Sequence, residues 1–365
     1  MKRALAYLAI IIAITGCIYP FEVTLPQQDS PSIVVDANIK IGAFSEVALR
    51  YVQPLDNFSS GSTFPAGSVY IESESGEKYT TKGDNGVFSI DTRMASVSKK
   101  YRIVVNADGE TIVSDWCTPL PPPIVSDVRI WADELAVFVS ADIDASEGST
   151  GYIAVSFYEL WRFHADYIRQ YGYDPIDKII YSLMEYDLSH YWCWKTNMPK
   201  EEVFLDLNLS GGKVGDLVVT RFGRSNSRNH DDYTVTVLAR NVSESEYRFR
   251  SLMRENVSNG GNLFTPDPGE IPGNLICETN PDKRVYGYVN AYVYGSNKQH
   301  IGYQFYILSS PASLTIPNPE NYNTYYWQGY LPIDMTPEGE IGWGKASCYD
   351  CVEAGGTLDI PEVTL

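Results

Sequence analysis

An all-β fold built from two β-sandwich domains is what this sequence predicts, and three observations carry the prediction. Short runs rich in β-branched and aromatic residues recur every ~8–12 residues. Turn sequences such as Ser75-Gly76, Asp84-Asn85-Gly86 and Asp108-Gly109 separate them. A single proline cluster, Pro121-Pro122-Pro123, divides the runs into two sets.

The first set covers residues 33–41, 46–52, 68–72, 78–81, 86–90, 101–106 and 111–115. It predicts an N-terminal sandwich over 32–119, of the immunoglobulin-like or transthyretin-like kind. Three consecutive prolines cannot continue a central strand, so 120–124 reads as a stiff linker. The second sandwich, over 125–316, opens with runs at 125–131, 135–141 and 152–158. It continues at 203–209, 217–222, 233–241, 284–294 and 301–308.

Residues 161–200 interrupt that rhythm. Trp161, Phe163, Tyr167, Tyr171, Tyr173, Tyr181, Tyr186, Tyr191, Trp192 and Trp194 crowd together without strand periodicity. The segment reads as a long, partly helical insertion, and long ordered excursions often carry binding surfaces. Its rings serve equally well as a satellite core. One short amphipathic helix is expected after residue 243. Ser243 and Glu246 form a capping-box pattern, Tyr247, Leu252 and Met253 give a partly apolar face, and Asn259-Gly260-Gly261 supplies the stop. The proline- and glycine-broken stretch 266–274 should be irregular. From 317 to 365 the chain reads as loop-rich, with Tyr322, Tyr325, Tyr326, Trp327 and Tyr330 in one group. Those rings either grip a ligand or partner, as Trp161, Tyr167 and Tyr171 could, or pack the loop onto its own domain.

The N-terminus has the order of a secretory signal over 1–16: Lys2 and Arg3, an apolar run, then small residues before Cys17. The apolar run is too short to span a bilayer. Ile14-Thr15-Gly16-Cys17 resembles a bacterial lipobox, so Cys17 is the expected lipidation site and 17–31 a tether. Several acyl chains, at about 0.8 kcal/mol per buried methylene, would hold the chain at a membrane surface. Loss of Lys2 and Arg3 takes the formal charge from −18 to −20. So acidic a body argues against nucleic-acid binding and against docking on anionic headgroups.

Five cysteines remain beyond Cys17, an odd number, and export makes disulfides available to them. Cys348-Tyr349-Asp350-Cys351 reads foremost as a structural disulfide, ahead of free thiols or a metal or redox pair. Cys193 with Cys277 is the next candidate bridge. A zinc site would need two further ligands at recognisable spacing, and none is present.

The order of these features resembles a Bacteroidota lipoprotein family called domain of unknown function 4249. The residues that carry it are Cys17-Ile-Tyr-Pro-Phe, Ser32-Ile-Val-Val-Asp-Ala and Ala66-Gly-Ser-Val-Tyr-Ile-Glu-Ser. Further on they are Cys193-Trp194, Gly273-Asn-Leu-Ile, Asn280-Pro with Val285-Tyr-Gly-Tyr-Val, and Cys348-x-x-Cys351 before Gly355-Gly-Thr. The terminal Pro361-Glu-Val-Thr-Leu365 lacks the aromatic with which members often finish. The resemblance implies an accessory lipoprotein encoded beside a TonB-dependent outer-membrane receptor, with display at the cell surface. It implies no activity.

The residues themselves offer no catalytic signature. There is no Gly-x-Ser-x-Gly, His-Glu-x-x-His or phosphate-loop motif, and His164, His190, His230 and His300 are dispersed. His230-Asp231-Asp232 could offer ligands to a cation but is explained as well by an acidic turn entering the strand at Tyr233, and Asp142, Asp144 and Glu147 resemble a calcium loop only weakly, without EF-hand spacing. The expectation is therefore a non-enzymatic accessory protein, without cofactor or metal, that helps a TonB-dependent receptor take up a small ligand. The alternatives are a structural or adhesive surface protein and, third, a secreted hydrolase.

Overall fold

Alternation of buried and outward side chains runs through the first described strand, where Ile33, Val35, Ala37 and Ile39 point inward. That period of two recurs along the chain and builds an all-β architecture. The computed structural model describes residues 32–52, 64–145, 150–259, 271–302 and 311–362. The expected leader, Cys17 and its tether lie outside the described residues, as do Glu147 and most of 301–308.

In chain order the strands are β1 Ile33–Lys40, β2 Phe44–Tyr51, β3 Gly67–Ser73, β4 Lys78–Thr80, β5 Val87–Asp91, β6 Tyr101–Ala107, β7 Glu110–Ser114, β8 Ile124–Ala132, β9 Ala136–Asp144 and β10 Tyr152–His164. There follow β11 Tyr171–Asp174, β12 Ile179–Ser182, β13 Trp192–Asn197, β14 Val203–Asp206, β15 Lys213–Gly223, β16 Tyr233–Val242 and helix α1 Glu244–Asn259. The chain closes with β17 Leu275–Cys277, β18 Val285–Tyr286, β19 Val289–Tyr292, β20 Gly295–Ile301, helix α2 Tyr322–Trp327, β21 Tyr330–Met335 and β22 Ile341–Lys345.

Two sheets share the first core. One runs β17-β7-β6-β3-β4, and the other runs β1-β2-β5 with β18 and β19 on the outer edge of β1. Ile33, Leu49, Ile71, Ile90 and Ile103 fill the space between them. Tyr101, fully buried, pins a loop: its hydroxyl donates to the Ser96 carbonyl and accepts from the Ser96 N–H at 2.8 and 2.7 Å.

This sandwich does not end at residue 119. The run expected at 284–294 in the second domain returns to the first, where β18 and β19 pair in parallel with β1 and β17 pairs with β7. The physical reason is an otherwise open edge. β1 is buried on one face and half-buried on the other, and β19, with Val289, Ala291 and Tyr292 buried, supplies the missing partner. Asn274 fixes the return, its amide donating to the Val289 carbonyl and accepting from the Val289 N–H, both at 2.8 Å. Gly287 takes φ +131°, and a Cβ there would lie 2.0 Å from the Val35 carbonyl oxygen, so the close approach requires glycine. The linker and the return lie side by side, the Leu120 N–H donating to the Ala291 carbonyl at 3.3 Å.

The second sandwich stacks β8-β9-β15 on β20-β16-β10, and both β13 and β14 pair with the far edge of β10. Val137, Val139, Ile153, Val235 and Val237 form its centre. Strand β10 is long enough to absorb Trp161 and Phe163, and β13 absorbs Trp192 and Trp194, so the true excursion is shorter than 161–200. Nor is it helical: all of 161–200 is described and contains strands and turns alone. The Asp174 carboxylate caps the β11–β12 turn by accepting from the Ile176 and Asp177 N–H groups at 2.8 and 3.2 Å. That local chemistry closes a hairpin.

Helix α1 forms at the expected place with half of its capping box. The Glu246 N–H donates to Ser243 Oγ at 3.1 Å, but the Glu246 carboxylate turns inward to Arg240 instead of returning to the cap. The packed side is therefore Glu246, Tyr247 and Phe249, with Tyr247 stacked on Tyr152 at 4.5 Å. Leu252 and Met253, expected on the apolar face, are exposed.

Candidate functional site

Three places gather functional side chains: an aromatic module made by the insertion and the C-terminal segment, a histidine cluster at its side, and a cleft where the sandwiches join. The aromatic module centres on Trp343, which is fully buried. Tyr322 stacks on it at 5.0 Å and Tyr173 meets it edge-on at 5.1 Å. Tyr326 lies 5.6 Å from Tyr173, whose hydroxyl donates to Asn323 Oδ1 at 2.6 Å. Backbone bonds tie the two segments, from Gln170 N–H to the Ile333 carbonyl and from Tyr167 N–H to the Cys348 carbonyl. The Tyr167 hydroxyl donates to the Ala312 carbonyl, and Tyr325 packs edge-on against Tyr330.

The two aromatic groups of the sequence thus meet, but mainly ring against ring. Of the candidate contacts, Trp327 points most openly outward, at 76% exposure. Tyr171 is half-buried on β11. Trp161 is not at the surface: it sits in the second core with the Arg228 guanidinium 4.3 Å over its ring. Its strand position decides this, because Trp161 and Phe163 fall on the inward side of β10. A buried carboxylate beside it, Glu159, is matched by Arg228, the Tyr233 hydroxyl and Asn197 at 2.8, 2.6 and 2.6 Å. Burial, then Glu159, pushes the Tyr233 hydroxyl to a high pKa.

The β11–β12 hairpin has two unlike faces. Tyr173, paired with Ile180, faces the Trp343 cluster. Gly172 and Tyr181 pair on the opposite face, as do Asp174 and Ile179. The glycine lets the Tyr181 ring lie flat across the strand, since a Cβ at 172 would meet that ring at 2.4 Å. On the outward side Ile179 and Tyr181 are at least half exposed, and Ile176 in the turn and Met184 beyond it are almost wholly so. The register places Ile179 and Tyr181 on one face, which the sequence alone does not show.

The cysteine pairing differs from expectation. Cys193 bonds Cys351, and the pairs Cys348–Cys351 and Cys193–Cys277 do not form. Cys277 lies on β17 in the first sandwich, whereas Cys193 points into the second core from β13. Cys348 and Cys351 flank a turn that sends only Cys351 inward, held by its N–H to the His190 carbonyl. The bridge thereby staples the C-terminal segment to β13, reinforced by paired backbone bonds between Trp194 and Thr357. Burial raises the Cys348 thiol pKa, and it pushes Cys117 up to about 12.

Beside the module, His164 stacks on His230 at 4.6 Å and on Tyr191 at 5.3 Å. Burial, then His164, lowers the pKa of His230. Asp231 pairs with Arg162, and Asp232 lies 3.4 Å from His300 Nε2. Asp142 is taken by Arg129 and the Asp216 N–H. These carboxylates are thus engaged by groups of the chain itself, and among the described residues no group of three or more His, Cys, Asp or Glu is arranged to hold a metal.

At the junction of the sandwiches Arg240 is wholly buried. It donates to Glu246 at 2.7 Å and to Glu202 at 2.6 Å, and its guanidinium lies 4.4 Å over the Tyr292 ring. Burial alone would raise the Glu202 pKa, but Arg240 overrides it and holds the carboxyl below its ordinary range. Asn290 of β19 donates to Glu246, which links the first sandwich to the network. In front of these groups opens a cleft of about 330 Å³.

The architecture defines a two-sandwich β protein with a disulfide-stapled aromatic module and no recognisable catalytic constellation among its described residues. The chain belongs to the family described as Domain of unknown function (DUF4249), which it matches over residues 18–298. The aromatic C-terminal segment lies beyond that match. Comparison with curated proteins gives no match. A two fibronectin type-III domain segment from chicken tenascin is matched at 14% identity over 58% of this chain and 91% of that one, with a TM-score of 0.18. So low a score carries no argument about shape or function.

Proposed function

We propose that this chain is a lipid-anchored accessory protein of the outer membrane that docks on a TonB-dependent receptor through its β11–β12 hairpin and assists uptake of a ligand. The observation that carries this reading is the outward face of the hairpin. Ile179 and Tyr181 share that face and stand in water, as do Ile176 in the turn and Met184 just beyond β12, while Tyr173 on the opposite face is packed against Trp343. Clustered exposed apolar residues of this kind mark contact surfaces. A formal charge of −20 after loss of the leader disfavours an anionic lipid surface as its cover. A membrane-protein face fits better. The lipobox-like Ile14-Thr15-Gly16-Cys17 supports a tether that keeps chain and receptor on one membrane. Affinity purification of the lipidated full chain tests the reading. Recovery of an outer-membrane β-barrel is the expected result, and recovery without one would overturn it.

A further inference from the structure

We infer that the cleft at the junction of the two sandwiches is a binding site for a neutral sugar ring. It is separate from the hairpin face, and it supplies the ligand class that the proposed uptake role leaves open. Its volume of about 330 Å³ stands at the lower end of small-molecule sites, which run ~300–1,000 Å³. Its walls come from three sources: Asp115 and Trp116 after β7, Ser243 and Ser245 at the start of α1, and Tyr288 and Asn290 on the returning segment. It exists only because the first sandwich is completed by residues 275–292.

The lining chemistry selects the ligand. Ser243, Ser245 and Tyr288 form a run of hydroxyls at successive separations of 3.2 and 2.6 Å. Each hydroxyl can donate and accept, which matches the dual character of sugar hydroxyls. The Trp116 ring carries the Arg102 guanidinium 4.8 Å from its centroid and remains 43% exposed, leaving apolar surface for the C–H face of a pyranose. No Lys, Arg or His lines the cleft among the described residues, Asp115 does, and Arg102 against Trp116 is already paired with Glu72 and Glu278, so an anion finds no uncommitted counter-charge. A wholly apolar ligand would strip water from the hydroxyls without replacing its hydrogen bonds. Behind the cleft, Asn290 is oriented by Glu246, itself fixed by Arg240, so the wall is rigid before a ligand arrives.

Saturation-transfer NMR on the full chain, with D-glucose, D-galactose and N-acetyl-D-glucosamine as probes and D-glucuronate as the charged control, tests this site. At least one neutral sugar should show transfer to its ring protons. Trp116→Ala should weaken binding about three- to tenfold. Tyr288→Phe, which keeps the ring against Phe249 and loses only the hydroxyl, should weaken it severalfold with the melting temperature unchanged. The inference is overturned if no neutral sugar exceeds glucuronate, or if Trp116→Ala binds as the parent does. Sugar binding without receptor recovery would fail the docking proposal alone, and the reverse would fail this one alone.

Discussion

Arg240 and Glu246 form a fully buried ion pair at 2.7 Å, six residues apart in sequence and bridging strand β16 of the second sandwich to helix α1, whose Glu246 also accepts from Asn290 of the first. Glu202 completes the pair into a triad, with 0, 1 and 18% of the side-chain surface of Arg240, Glu246 and Glu202 exposed. Removing the shared cation is the severe change, since two carboxylates are left buried. Arg240→Met should cost about 3–5 kcal/mol in urea unfolding. Glu246→Gln should cost less, about 1–3 kcal/mol, because Arg240 keeps Glu202 and the amide oxygen still accepts.

The same triad sets an acid limit. The Glu202 carboxyl is held below its ordinary 4.5, so its contribution is fully present above that value and is lost as pH falls through the folded-state value. The stability gap between parent and Arg240→Met should therefore narrow as pH falls below 4.5. A gap that stays constant there would show that the Glu202 carboxylate does not depend on Arg240.

Histidine titrations give two opposite signs. Asp350 raises the His190 pKa above 6.5, so that contribution is present below 6.5 and disappears as pH rises through the folded value. Burial and His164 lower His230, whose contribution is present above 6.5 and is lost as pH falls. NMR titration of the ring protons should place His190 above and His230 below the ordinary value. His230→Gln should flatten the loss of stability between pH 6.5 and 5.

The Cys193–Cys351 bridge spans 158 residues of sequence. Replacing both by Ser frees a long loop in the unfolded chain and should cost about 2–5 kcal/mol. Peptide mapping of the parent should recover the 193–351 pair, and Cys348→Ser should leave it intact.

Much of this fold was readable from residue patterns. The alternation of β1, the turn pairs, the triple proline and the cap at Ser243 each act through neighbours in sequence, so local chemistry specifies them. What could not be read is non-local. Nothing in Val289 or Cys277 says that they return to the first sandwich, because a strand fits either sheet edge until the open side of β1 is known. Sequence leaves Trp161 open between a contact ring and a core ring, and the length of β10 decides it by turning the side chain inward. Cys351 found Cys193 because the C-terminal segment packs over β13, a juxtaposition that cysteine spacing cannot report. The cleft is non-local for the same reason: its hydroxyls and its indole lie far apart in sequence.

The docking claim is tested most directly by replacing Met184 with a photo-reactive amino acid in the lipidated chain and irradiating intact outer membranes. Leu209, equally exposed but outside the hairpin, serves as the control position. A cross-link to an outer-membrane β-barrel is expected from position 184, lost when Ile179 and Tyr181 are both changed to Ser, with no such product from position 209. No cross-link from 184, or the same product from both positions, would contradict it.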